Sequence, residues 1–292
     1  MNFIQISKQR PLATIACIAM LTGCAGTSAL SDEPVNPDKS ARVQLDYNAS
    51  LITFPVEQYQ ISNSDWSVVS EAREIILNQC MTKGGFAPDP ERAASISEDR
   101  NFGIWNVERT RLYGFSIPGV DTTSDNVAPK PPGWGDARDK CVQQEAGRLA
   151  EVSPADPTVN PSIADKIQHQ SLALASKDPA WRDVREEWWT CLRGRGLEPR
   201  TGEQEWSSKQ ALDLAVRSSK DASAPPSNEE SIRVATLEAE CNQSARMTQR
   251  LGDIQASYQL PLIAKNQAAL NEVKSEEAKL VATARQFVLS NQ

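Results

Sequence analysis

The chain is short of the residues on which much enzyme chemistry depends. A single histidine, His169, in 292 residues leaves almost no room for a multi-histidine metal site or a Ser-His-Asp triad. No apolar run is long enough to span a bilayer. The motifs G-x-S-x-G, H-E-x-x-H, G-x-G-x-x-G, the P-loop and the EF-hand loop are absent, and no cofactor is expected. Ser124-Asp125-Asn126 and Arg200-Thr201-Gly202 faintly echo penicillin-binding elements. The S-x-x-K nucleophile motif that should precede them is missing, so the match is read as chance. Positive charge is also in deficit. The formal net charge is −7, which argues against nucleic acid as a partner. Aromatic residues make up only 6%, although seven of them are Trp. With 39% hydrophobic residues there is still enough apolar material for a packed core.

The N-terminus carries an address. Lys8 and Arg10 precede a short apolar stretch, Leu12 to Leu21, which ends in Leu21-Thr22-Gly23-Cys24. A positive start, a short apolar run and small residues before a cysteine form the pattern of a bacterial lipoprotein signal. Residues 1–23 are therefore expected to be removed and Cys24 to be lipidated, anchoring the chain on the outer face of the cell membrane through several acyl chains. Loss of Lys8 and Arg10 takes the net charge from −7 to −9, so the lipid rather than the protein surface would hold the membrane. Residues 24–63 are polar and proline-punctuated at first, then weakly strand-like up to Pro55, and read as a flexible tether.

Beyond Cys24 four cysteines remain: Cys80, Cys141, Cys191 and Cys241. An even number in an exported chain reads as two disulfides, and the wide spacing does not suit zinc. Helical spacing dominates the rest. Trp66, Val69, Ala72, Ile76 and Cys80 share one face, closed by Gly84-Gly85. Residues 102–117 suggest a short hairpin, and helices are expected over 136–152 and 163–176. Asp178-Pro179 opens a helix with Trp181, Val184, Trp188, Cys191 and Leu192 on one face, and a short helix follows within 201–218. Residues 231–289 read as helix almost throughout, kinked or split at Pro261, with a rough heptad seam at its end. That end is expected to pack on the body rather than project as a coiled-coil arm. The fold class is mostly α, with two helical units, 64–160 and 161–292, the second ending in a long helix or helical pair.

The two units echo each other. CMTKGGFAP (80–88) and CLRGRGLEP (191–199) share Cys, the Gly five residues on and the Pro eight residues on. Each reads as a helix end turned by a left-handed glycine just below a cysteine, followed by a second cysteine on another helix. Four cysteines allow three pairings. The echo favours Cys80–Cys141 and Cys191–Cys241, as would an old duplication.

Taken together, the lipobox, Ala72/Leu77/Cys80/Met81, Asp178/Pro179/Trp188/Cys191/Leu192, the stretch Glu230 to Cys241 and Leu262/Ile263/Asn266/Leu270 resemble a group of uncharacterised exported lipoproteins of actinobacteria. The resemblance implies a Gram-positive cell surface and a mostly helical fold, with no catalytic residue to carry over.

Two readings of function follow. The first is a non-enzymatic envelope protein that binds a partner protein or a cell-wall component. Trp189, offset from the apolar stripe, would serve as a binding surface with Arg193 and Arg195. The second is a peptidoglycan hydrolase using two of the carboxylates Glu186, Glu187, Glu203, Glu205, Glu238 and Glu240, although these positions fit solvated helix faces better. A spacer would be favoured only if the last helix stood free of the body.

Overall fold

The computed structural model describes residues 34–87, 98–117, 130–220 and 228–291. The signal segment, Cys24 and Ser124-Asp125-Asn126 lie outside these residues. From Asp32 onward the chain forms one compact unit. Helices begin where side chains can take up the orphan N–H groups of the first turn. Helix α1 (Asn63–Lys83) starts at Ser62, whose Oγ accepts the Asp65 N–H at 3.2 Å. Helix α5 (Ile163–Ala175) starts in a reciprocal box between Ser162 and Asp165. Helix α6 (Pro179–Gly194) starts at Asp178, which accepts the Ala180 N–H at 3.0 Å with Pro179 in the first turn. Between α1 and α5 lie α2 (Val107–Tyr113), α3 (Trp134–Gln144) and α4 (Ala146–Val152). After α6 come α7 (Lys209–Lys220), α8 (Glu229–Ala245), α9 (Met247–Lys265) and α10 (Gln267–Leu289).

The structure departs from the sequence reading in several places. Residues 34–63 are not a tether. Ala41, Val43, Ile52, Phe54, Val56, Tyr59 and Ile61 are buried. β1 (Gln44–Asp46) and β2 (Leu51–Thr53) pair antiparallel with Leu45 opposite Ile52, and a 3₁₀ turn follows at Pro55–Tyr59. Over 41–44 and 52–56 buried side chains alternate with exposed or half-buried ones, so these short stretches bury every second side chain. Gly252 of α9 makes room for it, since a Cβ there would lie 2.6 Å from Val43 Cγ2. Where a hairpin was expected within 102–117, Asn106 caps α2 by accepting the Arg109 N–H, and Gly114, with φ +57°, ends it. The expected helix over 136–152 is broken at Glu145. Trp66 lies at the edge of the buried stripe and is 41% exposed.

The 231–289 stretch is split at Arg246, which adopts φ +49°, and at Asn266, but not at Pro261. Proline has no N–H to give the carbonyl four residues earlier, here that of Ser257. That carbonyl instead accepts the Asp38 N–H at 2.8 Å from the N-terminal strap. The missing helix bond is replaced by a tertiary one, and α9 continues through the proline to Lys265.

Apolar side chains gather into two principal cores. One holds Val69, Ile76, Leu77, Met81 and Leu149 with the Cys80–Cys141 disulfide. The other holds Phe54, Phe102, Trp181, Trp188, Leu192, Met247 and Leu251 with Cys241, joined to the half-buried Cys191. Edge-to-face contacts of Phe102 with Trp181 (5.6 Å) and Trp206 (5.7 Å) centre the second core. The cystine pairing is the one the echo favours, with Cα–Cα distances of 5.8 Å and 5.5 Å. Helix α10 packs on the body, as expected, but against α1 and α4 of the first unit, where Val281, Ala284 and Val288 enter the first core.

The echo is also present in backbone geometry. Gly85 (φ +84°) and Gly196 (φ +74°) are left-handed. The Phe86 N–H donates to the Met81 carbonyl at 3.0 Å, and the Leu197 N–H to the Leu192 carbonyl at 2.9 Å. The Gly85 N–H to Thr82 carbonyl bond (3.0 Å) matches that from Gly196 to Arg193 (3.1 Å). Both helices thus end in the same Schellman turn below a cystine. Gly196→Ala should therefore lower stability by about 1 kcal/mol, because its φ is strained for any Cβ. Gly194→Ala, where a Cβ meets nothing within 4 Å, should be neutral or stabilising by up to ~0.5 kcal/mol. Denaturant unfolding of the two variants checks the contrast; equal effects would rule out the shared turn as a constraint.

Candidate functional site

The expected surface of Trp189, Arg193 and Arg195 is not an open aromatic patch. Trp189 is half-buried against the second core. Its ring lies 4.7 Å from the Arg185 guanidinium, which is also 4.7 Å from the Trp206 ring. Arg185 is itself buried and donates to the carbonyls of Gly202 (2.6 Å), Glu203 (3.3 Å) and Glu205 (3.2 Å), which fixes the 202–205 loop over the helix. Burial pulls its pKa below the ordinary arginine value. This arginine, sandwiched between two Trp rings, is what withdraws Trp189 from solvent. Arg193 and Arg195 are exposed, the first bonded to Glu186 and Thr190, the second paired with Glu240 at 3.6 Å.

The carboxylates considered for hydrolysis are largely engaged by arginine. Glu186 pairs with Arg193, Glu187 with Arg250, Glu205 with Arg200, and Glu240 with both Arg111 and Arg195. Exposed pairs of this kind contribute little stability each. Glu238 differs. It is buried, and its carboxylate accepts the Ser208 N–H at 2.6 Å at the start of α7. Burial raises its pKa to about 7, partly offset by bonds from Ser208. His169 is exposed on α5.

One small polar pocket lies beneath the hairpin, lined among others by Ser50, Glu98, Asp99, Arg100, Asn106 and Arg109. Glu98 is held between two arginines: Arg100 at 2.8 Å and Arg109, which approaches it more closely. Arg100 also donates to the Phe115 carbonyl at 2.7 Å, which ties both ends of the 98–116 segment together. Asn106 donates to the Tyr47 carbonyl (2.6 Å) and to Ser50 Oγ (2.8 Å). Ser50, buried, adopts φ +57° to close the hairpin turn. Asp99 accepts the Ile52 N–H at 2.7 Å, and burial raises its pKa. Glu57 is raised to about 7, chiefly by burial, with the Asp99 charge adding a smaller push.

These contacts define what the pocket can do. Its polar groups bind each other and the hairpin, leaving room for little more than a water. Ser50 Oγ receives a bond from an amide, which is not a base and cannot activate it. Residue composition did not flag Glu98, Arg100, Arg109 or Arg185. Asn106 and Gly114, which punctuate α2, were the available signal. Among the described residues no group of three or more His, Cys, Asp or Glu is placed to hold a metal ion, and no helix is long and apolar enough to cross a membrane. No family model matches the chain, and neither a curated protein nor a solved structure is significantly similar to it.

Glu238 generates a pH prediction. Its folded pKa of about 7 lies above the ordinary 4.5. Between those values the native state holds a proton that the unfolded state releases. Its contribution is therefore fully present below about pH 4.5 and is lost as pH rises through about 7. Glu57 and Glu277, both also raised to about 7, act with the same sign. Glu238→Gln should flatten part of the decline in unfolding midpoint between pH 5 and 8. A slope identical to wild type would show that this carboxyl does not titrate as described.

Proposed function

We propose that the protein is an exported lipoprotein, anchored through an acylated Cys24 on the outer face of the cell membrane, whose helical body binds a partner protein or a cell-wall component without catalysis. The observation that carries this reading is the fate of the cysteines. All four after Cys24 are consumed in two disulfides, as suits a chain folded in an oxidising compartment, and the lipobox supplies the route there. The resemblance to exported actinobacterial lipoproteins supports the same compartment.

Binding is favoured over hydrolysis by the engagement of the surface carboxylates with arginine and by apolar side chains left in solvent on two helices that flank α8. Leu112 (66% exposed) and Tyr113 lie on α2, and Leu212 lies on α7. The hydrolase reading has one observation in its favour: the raised carboxyls of Glu57 and Asp99, each sensitive to burial. Both accept backbone N–H groups of the hairpin segment, Phe54 and Ile52 respectively, and the pocket that Asp99 lines is not lined by Glu57. A role in holding the hairpin accounts for them.

Cys24→Ala should move the protein from the membrane to the soluble extracytoplasmic fraction and abolish acyl labelling. Retention of that variant in membranes would rule out the lipoprotein reading. In-cell crosslinking with mass spectrometry should give a dominant partner for the anchored form. Release of muropeptides by the purified protein, lost in Glu57→Gln, would establish the hydrolase instead.

A further inference from the structure

The second cystine-stapled unit does not keep its own last helix. Helix α10 ends that unit in sequence but packs along α1 and α4 of the first. Helix α5, which opens the second unit, packs along α9, with Ala175 and Leu172 in the second core, and also touches α10. The first unit is thus completed by a helix that the second carries.

The link that allows α10 to cross over is one residue long. Asn266 has φ −114° and ψ 19°, outside helical geometry, yet helix bonding continues on both sides of it. The Asn266 N–H donates to the Leu262 carbonyl at 3.2 Å, and the Leu270 N–H to the Asn266 carbonyl at 3.0 Å, both with i to i−4 spacing. Returning this residue to helical dihedrals would join α9 and α10 into one rod over 247–289 and lift α10 from its place.

The seat itself is uneven. Leu270 at one end and Val281, Ala284 and Val288 at the other are buried. Between them Glu277 is half-buried; its carboxylate accepts the Ile61 N–H, while Oε2 meets no hydrogen-bond partner. It feels the charge of Asp165 on α5, which is held in place by Ser162 and Gln60. The unpaired oxygen and the like charge oppose docking along the middle of the helix, and the Ile61 bond offsets only part of this.

We propose that α10 is an exchangeable helix and that its second acceptor is the α1–α4 face of another copy of this chain. Straightening at Asn266 would release α10 from its own α1 and α4 and lay it on those of the second copy, with the reverse contact completing a closed dimer. Every buried contact of α10 in the monomer is remade in trans, so the dimer needs no new surface.

The test uses the full chain with both disulfides intact. Asn266→Ala, which favours continuous helix, is held with wild type at equal high concentration through mild warming and cooling. The products are then sized by chromatography with light scattering. A several-fold higher dimer fraction in Asn266→Ala, with α10 and α1 amides as protected in the dimer as in the monomer, is the expected result. Crosslinks between α10 of a heavy-isotope copy and α1 of a light copy would accompany it. An unchanged dimer fraction, or a dimer in which α10 exchanges freely with solvent, would overturn the proposal. Asn266→Gly is the second variant and keeps the test decisive should Asn266→Ala fail to fold. Glycine disfavours the continuous helix, so the dimer fraction should fall below wild type; no change or a rise would overturn the proposal.

Discussion

The fold rests on a constraint that appears twice: a helix stopped by a left-handed glycine one turn below a cystine. Gly85 and Gly196 set where α1 and α6 end, and Cys80 and Cys191 join those ends to α3 and α8. Apolar material is not abundant in this chain, and it is divided between two cores. Each core contains one crosslink, which limits the freedom of the unfolded chain and so reduces what side-chain burial alone must supply. Helix α10, which follows the second stapled pair in sequence, crosses back to complete the core around the first.

Sequence signals are legible where their structural effect is local. Asp178-Pro179 marks the start of α6, and the shared Cys, Gly and Pro spacing marks the two Schellman turns. Features that depend on distant partners were not legible. Pro261 would break an isolated helix, but Asp38 supplies the donor that keeps the Ser257 carbonyl satisfied. Trp189 is offset from the buried stripe, but Arg185 and Trp206 cover it. The strap over 38–61 reads as a tether because its alternation comes in stretches of four and five residues, too short to stand out as strands. For the candidate site, the Glu98–Arg100–Arg109 cluster lies on a segment whose helix is announced only by Asn106 and Gly114.

Charge is handled differently inside and outside. On the surface, glutamates and arginines pair in short exposed contacts that solvent screens and that add little each. Inside, Glu98 is neutralised by two arginines, Arg185 is shielded between Trp rings, and Glu238 is set against the first turn of α7. Each of these buried groups holds an irregular segment in place: the 98–116 stretch, the 202–205 loop or the entry to α7. Polar burial here fixes connections between helices, which apolar packing alone would leave free to slide.

The strap across α9 also has a mechanical meaning. Asp38 bonds to Ser257, Val43 to Asp253, and Gln249 back to Val43, so the segment runs antiparallel to the helix with its bonds spaced along it. A pull on the chain from its N-terminal side, directed along the strap, would load these bonds together in shear rather than open them one at a time. The load would then pass into α9 and through its packing into α6, which the second cystine joins to α8. Pro261, by having no N–H to give, thus frees the Ser257 carbonyl at which that load enters.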